Sequence, residues 1–177
     1  MLRVVVFSLV LTLVQWSAGV SASTTDDSYI LGAGDKIVIK VFGHPDLDLE
    51  TQLTDNGVIN YPFLGAIKVN GLTLEQFEKI IFDGLKGDYL VDPNVHVGIA
   101  EYRPFYIHGE VRKPGAYPYQ PGLTVNQAIA LAGGLTERAS RDRITLSREA
   151  NKEQSEAATL GTRVSAGDTV MIFQRFF

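Results

Sequence analysis

The 177-residue sequence contains no cysteine, one tryptophan and three histidines, His44, His96 and His108. Without cysteine the chain can form no disulfide, no thiolate metal site and no lipidated N-terminal cysteine, so its stability must rest on packing and assembly. A zinc-type site needs three or four converging ligands, and no acidic residue lies beside His96 or His108 at a ligand-like spacing. We therefore expect neither a metal nor a cofactor, and interpret the histidines as structural or surface residues.

Positive charge is also scarce. The chain has 16 Lys and Arg against 20 Asp and Glu, which gives a net charge of −4, and the basic residues form no stripe. Binding to nucleic acid depends on clustered Lys and Arg that neutralise phosphates. The composition therefore excludes nucleic acid as the expected partner.

The first residues form the longest apolar run. Arg3 precedes a run from Val4 to Val14, and the small residues Val20-Ser21-Ala22 follow. The run is shorter than the ~20 residues of a membrane-spanning helix, and this arrangement is typical of a cleaved signal peptide. Residues 1–22 are therefore predicted to be a signal peptide, with an uncleaved signal anchor as the alternative, and no later segment is long enough to span a membrane.

Two stretches share one helix-start pattern, Gly71-Leu-Thr-Leu-Glu-Gln-Phe and Gly122-Leu-Thr-Val-Asn-Gln-Ala. In each, a threonine is followed three residues later by glutamine, which is the pattern of a capping box. The pattern predicts helices over about residues 74–85 and 125–132. Gly87 and Gly133-Gly134 are expected to end them.

A second repeated pattern, Ala33-Gly34-Asp35 and Ala166-Gly167-Asp168, precedes a predicted strand each time. Asn56-Gly57 predicts a hairpin turn between Leu53 and Val58. The polar, alanine-rich segment 151–159 is interpreted as a loop or a frayed helix. Strands outnumber helices and each helix lies between strands, so the expected fold class is α+β.

Two groups of residues admit a functional interpretation. Asp35 and Asp168 would suit glycoside hydrolysis if their carboxyl groups lay roughly 5–10 Å apart in one cleft. The alternative is that each aspartate accepts hydrogen bonds from turn amides, and two copies of one local pattern favour this. Tyrosines such as Tyr102 and Tyr106 suit sugar faces, but alternation along strands favours packing for many of them. No nucleophile elbow is present, so no catalytic residue is assigned.

Ordered motifs in two consecutive stretches resemble one protein family. The first stretch contains Tyr29-Ile-Leu31-Gly32-Ala33-Gly34-Asp35, Asp55-Asn56-Gly57, Pro62-Phe63-Leu64-Gly65, Gly71-Leu72-Thr73 and Asp92-Pro93-Asn94-Val95. The second contains Arg103-Pro104-Phe105-Tyr106-Ile107-His108-Gly109-Glu110-Val111, Lys113-Pro114-Gly115, Gly122-Leu123-Thr124-Val125 and Ala132-Gly133-Gly134. They resemble, respectively, the N-terminal module of bacterial polysaccharide export proteins and the soluble-ligand-binding β-grasp (SLBB) module that follows it. The chain is identified as a member of this family, in a short form with one SLBB module.

The resemblance implies that residues 23–101 form the export module and that residues 102–177 form the SLBB module. It brings no catalytic residues. The motif positions are expected to serve backbone geometry: Gly32, Gly34, Asp35, Gly57, Pro62, Gly65, Gly71, Thr73, Pro93, Gly109, Pro114, Gly115, Thr124, Gly133, Gly134 and Asp168. Contact with glycan or with a neighbouring subunit is expected at Tyr102, Arg103, Tyr106 and Phe177.

The same resemblance implies a place in the cell and a set of partners. The protein is expected in the periplasm, associated with the outer membrane, as a component of capsule or exopolysaccharide export. It is expected to bind polysaccharide, to assemble with itself into a ring or collar, and to contact an inner-membrane chain-length regulator (a co-polymerase). Without a lipidated cysteine or an amphipathic helix after Phe177, it is expected to act as a collar or dock onto an outer-membrane β-barrel. The alternatives are a monomeric periplasmic sugar-binding module and a small glycan-processing enzyme that uses Asp35, Asp168 or His108.

Overall fold

The computed structural model describes residues 29–175, and these residues build two hydrophobic cores in sequence. The first core runs from Leu31 to Val97 and the second from Phe105 to Ile172. The predicted signal peptide and Phe177 lie outside the described residues. No helix within residues 29–175 has both the length and the apolar character needed to cross a membrane.

The first core lies between a small antiparallel sheet, a separate hairpin and one helix. The elements are β1 (Lys36–Val41), β2 (Leu49–Gln52), β3 (Val58–Tyr61), β4 (Gly65–Lys68), α1 (Leu74–Leu85) and β5 (Val95–Glu101). The sheet has the order β2-β1-β5, and β3 pairs with β4. Ile37, Ile39 and Val41 alternate along β1 and are buried, as their period of two predicts.

The second core is covered by a five-stranded mixed sheet and a short helix. The elements are β6 (Phe105–Gly109), β7 (Gly115–Tyr117), α2 (Val125–Leu131), β8 (Ala139–Ser147), β9 (Ser155–Ala158) and β10 (Thr169–Gln174). The strand order is β7-β6-β10-β8-β9, with β10 parallel to β6 and antiparallel to β8. Val125, Ala128 and Ile129 form the buried face of α2. Two mixed modules of this kind confirm the α+β class.

Both predicted capping boxes are confirmed. The side chain of Thr73 accepts a hydrogen bond from the amide of Gln76 at 3.2 Å, and the Gln76 side chain accepts from the amide of Thr73 at 3.0 Å. Thr124 and Gln127 repeat the exchange at the start of α2. These local bonds satisfy amide groups that the first turn of a helix leaves without a partner, which is why the two helices begin where the sequence pattern places them.

The predicted hairpin at Asn56-Gly57 is wrong. β2 pairs with β1, whereas β3 pairs with β4, so this turn connects two different sheets. The carbonyl of Gly57 accepts hydrogen bonds from the amides of Val69 and Asn70, at 2.8 and 3.2 Å, so the turn is tied to the end of β4. The hairpin lies one turn later, where Phe63 has a φ of +64°. A positive φ is uncommon for a bulky residue, and no sequence signal indicated it.

The interpretation of segment 151–159 as a loop or frayed helix is also wrong for its second half. Ser155–Ala158 forms β9, which pairs antiparallel with β8 at the edge of the sheet. Three of its four residues are exposed, so the alternation that identifies a half-buried strand is missing from the sequence. Main-chain hydrogen bonding to β8, rather than side-chain burial, makes this segment a strand.

Candidate functional site

The two Ala-Gly-Asp corners have the same local geometry. The carboxylate of Asp35 accepts a hydrogen bond from the amide of Gly32 at 2.9 Å, and that of Asp168 accepts from the amide of Ser165 at 2.8 Å. The aspartate amides in turn donate to the carbonyls of Gly32 and Ser165, each at 3.2 Å. The interpretation of the aspartates as turn-stabilising residues therefore agrees with the hydrogen bonds at both corners.

Both aspartates are buried and charged, which requires compensation. The exposed fraction is 0% for Asp35 and 1% for Asp168. Among the residues that the structure describes, these two aspartates are the charged residues that are buried. A buried carboxylate is tolerated when hydrogen bonds and an opposite charge replace the water it has lost. Each aspartate has an arginine partner at 2.7 Å, Arg103 for Asp35 and Arg148 for Asp168.

Arg103 lies between the two cores and contacts residues of both modules. Its Nη1 donates to Asp35 Oδ2 at 2.7 Å and to the Tyr29 hydroxyl at 2.9 Å, and its backbone amide donates to Asp35 Oδ1 at 2.9 Å. Its Nε donates to the Glu149 carboxylate, which belongs to the second module. The side chain of Arg103 is only 13% exposed. One buried guanidinium therefore joins the first corner to the second module.

Glu149 connects this ion pair to the second corner. It follows β8 in a short 3-10 helix, and its backbone amide donates to Asp168 Oδ1 at 3.2 Å. Its carboxylate accepts from Arg103. We call the continuous set of residues the junction cluster: Tyr29, Asp35, Arg103, Arg148, Glu149 and Asp168.

Two glycines make room for the junction cluster. A side chain at Gly32 would place its Cβ 2.7 Å from Nη1 of Arg103. A Cβ at Gly167 would overlap the carboxylate of Glu149 and lie 3.0 Å from Nε of Arg103. The glycine before each aspartate, Gly34 or Gly167, also has a positive φ of +94° or +83°. Gly34 and Gly167 thus allow the bend of each corner, and Gly32 and Gly167 leave space for the ion pairs of Arg103.

Burial and neighbouring charges shift the pKa values of two residues of the junction cluster, Tyr29 and Arg103. Burial and the hydrogen bond to Asp35 raise the pKa of the Tyr29 phenol, which therefore stays neutral. Burial lowers the pKa of Arg103, but the charge of Asp35, with Tyr29 and Glu149, outweighs burial and the net shift of that pKa is upward. Both effects favour a phenol that donates to a carboxylate and an arginine that remains charged.

This arrangement does not suit acid-base chemistry. The Asp35 carboxylate accepts four hydrogen bonds, from Tyr29, from the Gly32 amide and from the amide and guanidinium of Arg103. A catalytic carboxyl group must reach the proton that it transfers, and a buried carboxylate engaged in this way has no oxygen turned to a substrate. The cluster is suited to fixing the orientation of one module on the other.

The residues predicted to contact glycan or a neighbouring subunit do not form one group, because Tyr102 and Arg103 line the same cavity and Tyr106 does not line it. Tyr102 is half-buried between the rings of Tyr29 and Tyr119, and Arg103 belongs to the junction cluster. Tyr106 is 47% exposed on β6. Sequence reasoning did not single out Arg148 or Glu149, because their partners are distant in sequence. Asp168 is 20 residues from Arg148, and Arg103 is 46 residues from Glu149.

Comparisons with known proteins cover both modules. Residues 23–100 match the family described as polysaccharide biosynthesis/export protein, and residues 104–173 match the SLBB domain. The chain is 31% identical over 163 residues to the exopolysaccharide production protein ExoF of Rhizobium meliloti. The aligned region covers 81% of this chain and 38% of ExoF.

Two further relatives are also named as polysaccharide transport or export proteins. The polysialic acid transport protein KpsD of Escherichia coli is 28% identical, over 83% of this chain and 28% of KpsD. The EPS I polysaccharide export outer membrane protein EpsA of Ralstonia nicotianae is 30% identical, over 68% of this chain and 38% of EpsA. The chain thus spans well under half the length of the curated relatives it matches.

Proposed function

Because this chain belongs to the polysaccharide biosynthesis/export family, with an export module followed by one SLBB domain, we propose that it is a non-enzymatic structural component of capsule or exopolysaccharide export. In this proposal it works in the periplasm at the outer membrane, and several copies surround the path of the polymer. It would contact an inner-membrane chain-length regulator on one side. The boundary between the modules is proposed at residues 101–102, next to Arg103.

The observation that carries the proposal is the junction cluster. A ring subunit must hold its parts at a fixed angle, because a small error in each copy accumulates around the ring. Arg103 supplies such a constraint, since it pairs with Asp35 of the first module and Glu149 of the second while remaining 13% exposed. The same pairing occupies the carboxylate that a hydrolase would need, which favours a structural role over catalysis.

Exposed apolar side chains support self-assembly. The exposed fractions of Phe63 and Val91 are 63% and 91%, and the Phe63 ring contacts the ring of Tyr89 at 4.9 Å between centroids. Phe63 has the positive φ described above, so the fold holds a bulky ring at the surface at a conformational cost. Exposed aromatic rings that contact each other, as Phe63 and Tyr89 do, are typical of interaction surfaces.

Deleting the gene in the source bacterium is expected to reduce the polysaccharide on the cell surface and in the medium to the background level. The polymer should instead accumulate inside the envelope, because synthesis continues while export fails. Total carbohydrate in the surface, medium and envelope fractions measures this. A plasmid copy of the wild-type gene should restore the surface fraction. A deletion strain with normal surface polysaccharide would contradict the proposal.

Native mass spectrometry separates the proposed assembly from a monomeric sugar-binding module. The purified protein is expected to give a defined multimer that persists on dilution, because apolar groups are buried between copies. Raising the ionic strength should not dissociate a contact of this kind, since salt screens mainly exposed charges. A monomer at every protein concentration would favour the sugar-binding alternative.

A further inference from the structure

A cavity of about 440 Å³ lies beside the junction cluster, where the two modules meet. Its lining includes three tyrosines and two arginines: Tyr29, Tyr102, Tyr119, Arg103 and Arg163. Small-molecule sites typically have volumes of roughly 300–1,000 Å³ and combine apolar surface with a few polar groups. The size and lining of this cavity, which we call the tyrosine cavity, therefore suit a small ligand or one segment of a larger one.

The tyrosine rings form a continuous aromatic wall. Tyr102 contacts the rings of Tyr29 and Tyr119 edge-to-face, with centroid distances of 4.9 and 5.4 Å and interplanar angles of 78° and 83°. All three rings are half-buried, so each is held by packing and still presents part of its surface. An amphipathic ring fixed in this way can cover the C–H face of a sugar at little entropic cost.

The charged residues of the described cavity lining are both arginines. Arg103 and Arg163 line the tyrosine cavity, and the described part of its wall contains no Asp or Glu, although acidic residues outnumber basic ones in the whole chain. Arg103 pairs with Asp35 and Glu149. Arg163 is an exposed residue of the cavity lining. Arginine is well suited to a carboxylate because its planar fork donates two parallel hydrogen bonds.

We propose that the tyrosine cavity binds a segment of acidic polysaccharide, with a sugar face against the tyrosine rings and a sugar carboxylate near Arg163. The proposal rests on the proposed export function and adds a site of contact with the polymer. Because residues of both modules form the wall, binding would also depend on the module orientation that Arg103 maintains.

Binding is tested with short oligosaccharides prepared by partial hydrolysis of the bacterium's own surface polysaccharide. The same fragments, with their carboxyl groups reduced to alcohols, serve as the matched neutral ligand. Isothermal titration with the purified protein should show saturable binding of the acidic fragments and about tenfold weaker binding of the reduced ones. Absence of saturable binding would overturn the proposal, and equal affinities would overturn its preference for acidic sugars.

The Tyr119→Ala variant is expected to weaken binding of the acidic fragments about tenfold, as truncation of an aromatic contact residue typically does. Phe42→Ala is the matched control, because Phe42 is an exposed aromatic residue that follows β1 and does not line the cavity. Arg163→Gln, at an exposed position, provides a second test if Tyr119→Ala does not fold. It should weaken binding of the acidic fragments alone. Unchanged affinity in folded Tyr119→Ala, or in Arg163→Gln, would overturn the proposal.

Export assays distinguish failure of the cavity from failure of the proposed function. If Tyr119→Ala binds as well as the wild type while the deletion strain is defective in export, the export role stands and the cavity proposal falls. If the deletion strain exports normally, the export role falls whatever the protein binds.

Discussion

Replacing Arg103 with alanine is expected to lower the free energy of unfolding by about 3 kcal/mol. The variant leaves the buried carboxylate of Asp35 without its cation and removes the contact with Glu149. The loss should fall at the low end of the range for broken buried ion pairs, because Asp35 keeps hydrogen bonds from Tyr29 and the Gly32 amide. Chemical denaturation followed by circular dichroism measures the change.

Arg138→Ala is the matched control for this substitution. Arg138 also pairs with a glutamate, Glu110, at 3.4 Å, but its side chain is 63% exposed. Solvent screens such a pair, so the expected loss is below about 1 kcal/mol. Equal effects of the two substitutions would show that the junction cluster contributes no more than a surface ion pair. A double variant with Asp35→Asn should lose less than the two single losses together, because the two side chains interact directly.

Replacing Gly109 with alanine is expected to cost roughly 2–5 kcal/mol of unfolding free energy. Gly109 has a φ of +88°, which an L side chain adopts at a cost, and a Cβ there would overlap the carbonyl oxygen of Ile172. The overlap is with backbone of β10, so the parallel pairing of β6 with β10 would have to open. Chemical denaturation should show a lower midpoint, because the second module loses part of its central pairing.

Gly115→Ala is the corresponding control within the same set of motif glycines. Gly115 has no positive φ, and a Cβ there would meet nothing within 4 Å. Alanine should therefore change the unfolding free energy by no more than about 0.5 kcal/mol. If Gly109→Ala changed the unfolding free energy no more than Gly115→Ala does, the close approach of β6 to β10 would not be the reason for a glycine at position 109.

The features that sequence predicted correctly are local. Thr73 and Thr124 bond to residues three positions away, so the capping boxes are visible within a few letters of sequence. The hydrogen bond from the Gly32 amide to Asp35 spans the same short distance. In such cases the partner and the turn geometry are both encoded in the same segment.

The features that sequence missed depend on distant parts of the chain. β9 is a strand because β8 offers its edge, and the residues of β9 show no alternation of their own. Glu149 is 46 positions from Arg103, and a single sequence does not indicate that these two residues will pair. The candidate site was therefore predictable as two isolated aspartate turns but not as one ion-paired cluster.

The central place of β10 in its sheet has a consequence for the order of folding. β10 lies between β6 and β8, so the middle of the second sheet is built from the last strand of the described chain. A chain emerging from the ribosome or a translocation channel exposes β1 to β5 first, and their sheet can pair before the second one is complete. The second sheet has to wait for Thr169 to Gln174. Proteolysis during this interval would selectively remove the second module, and a chaperone that shields β6 and β8 would protect it.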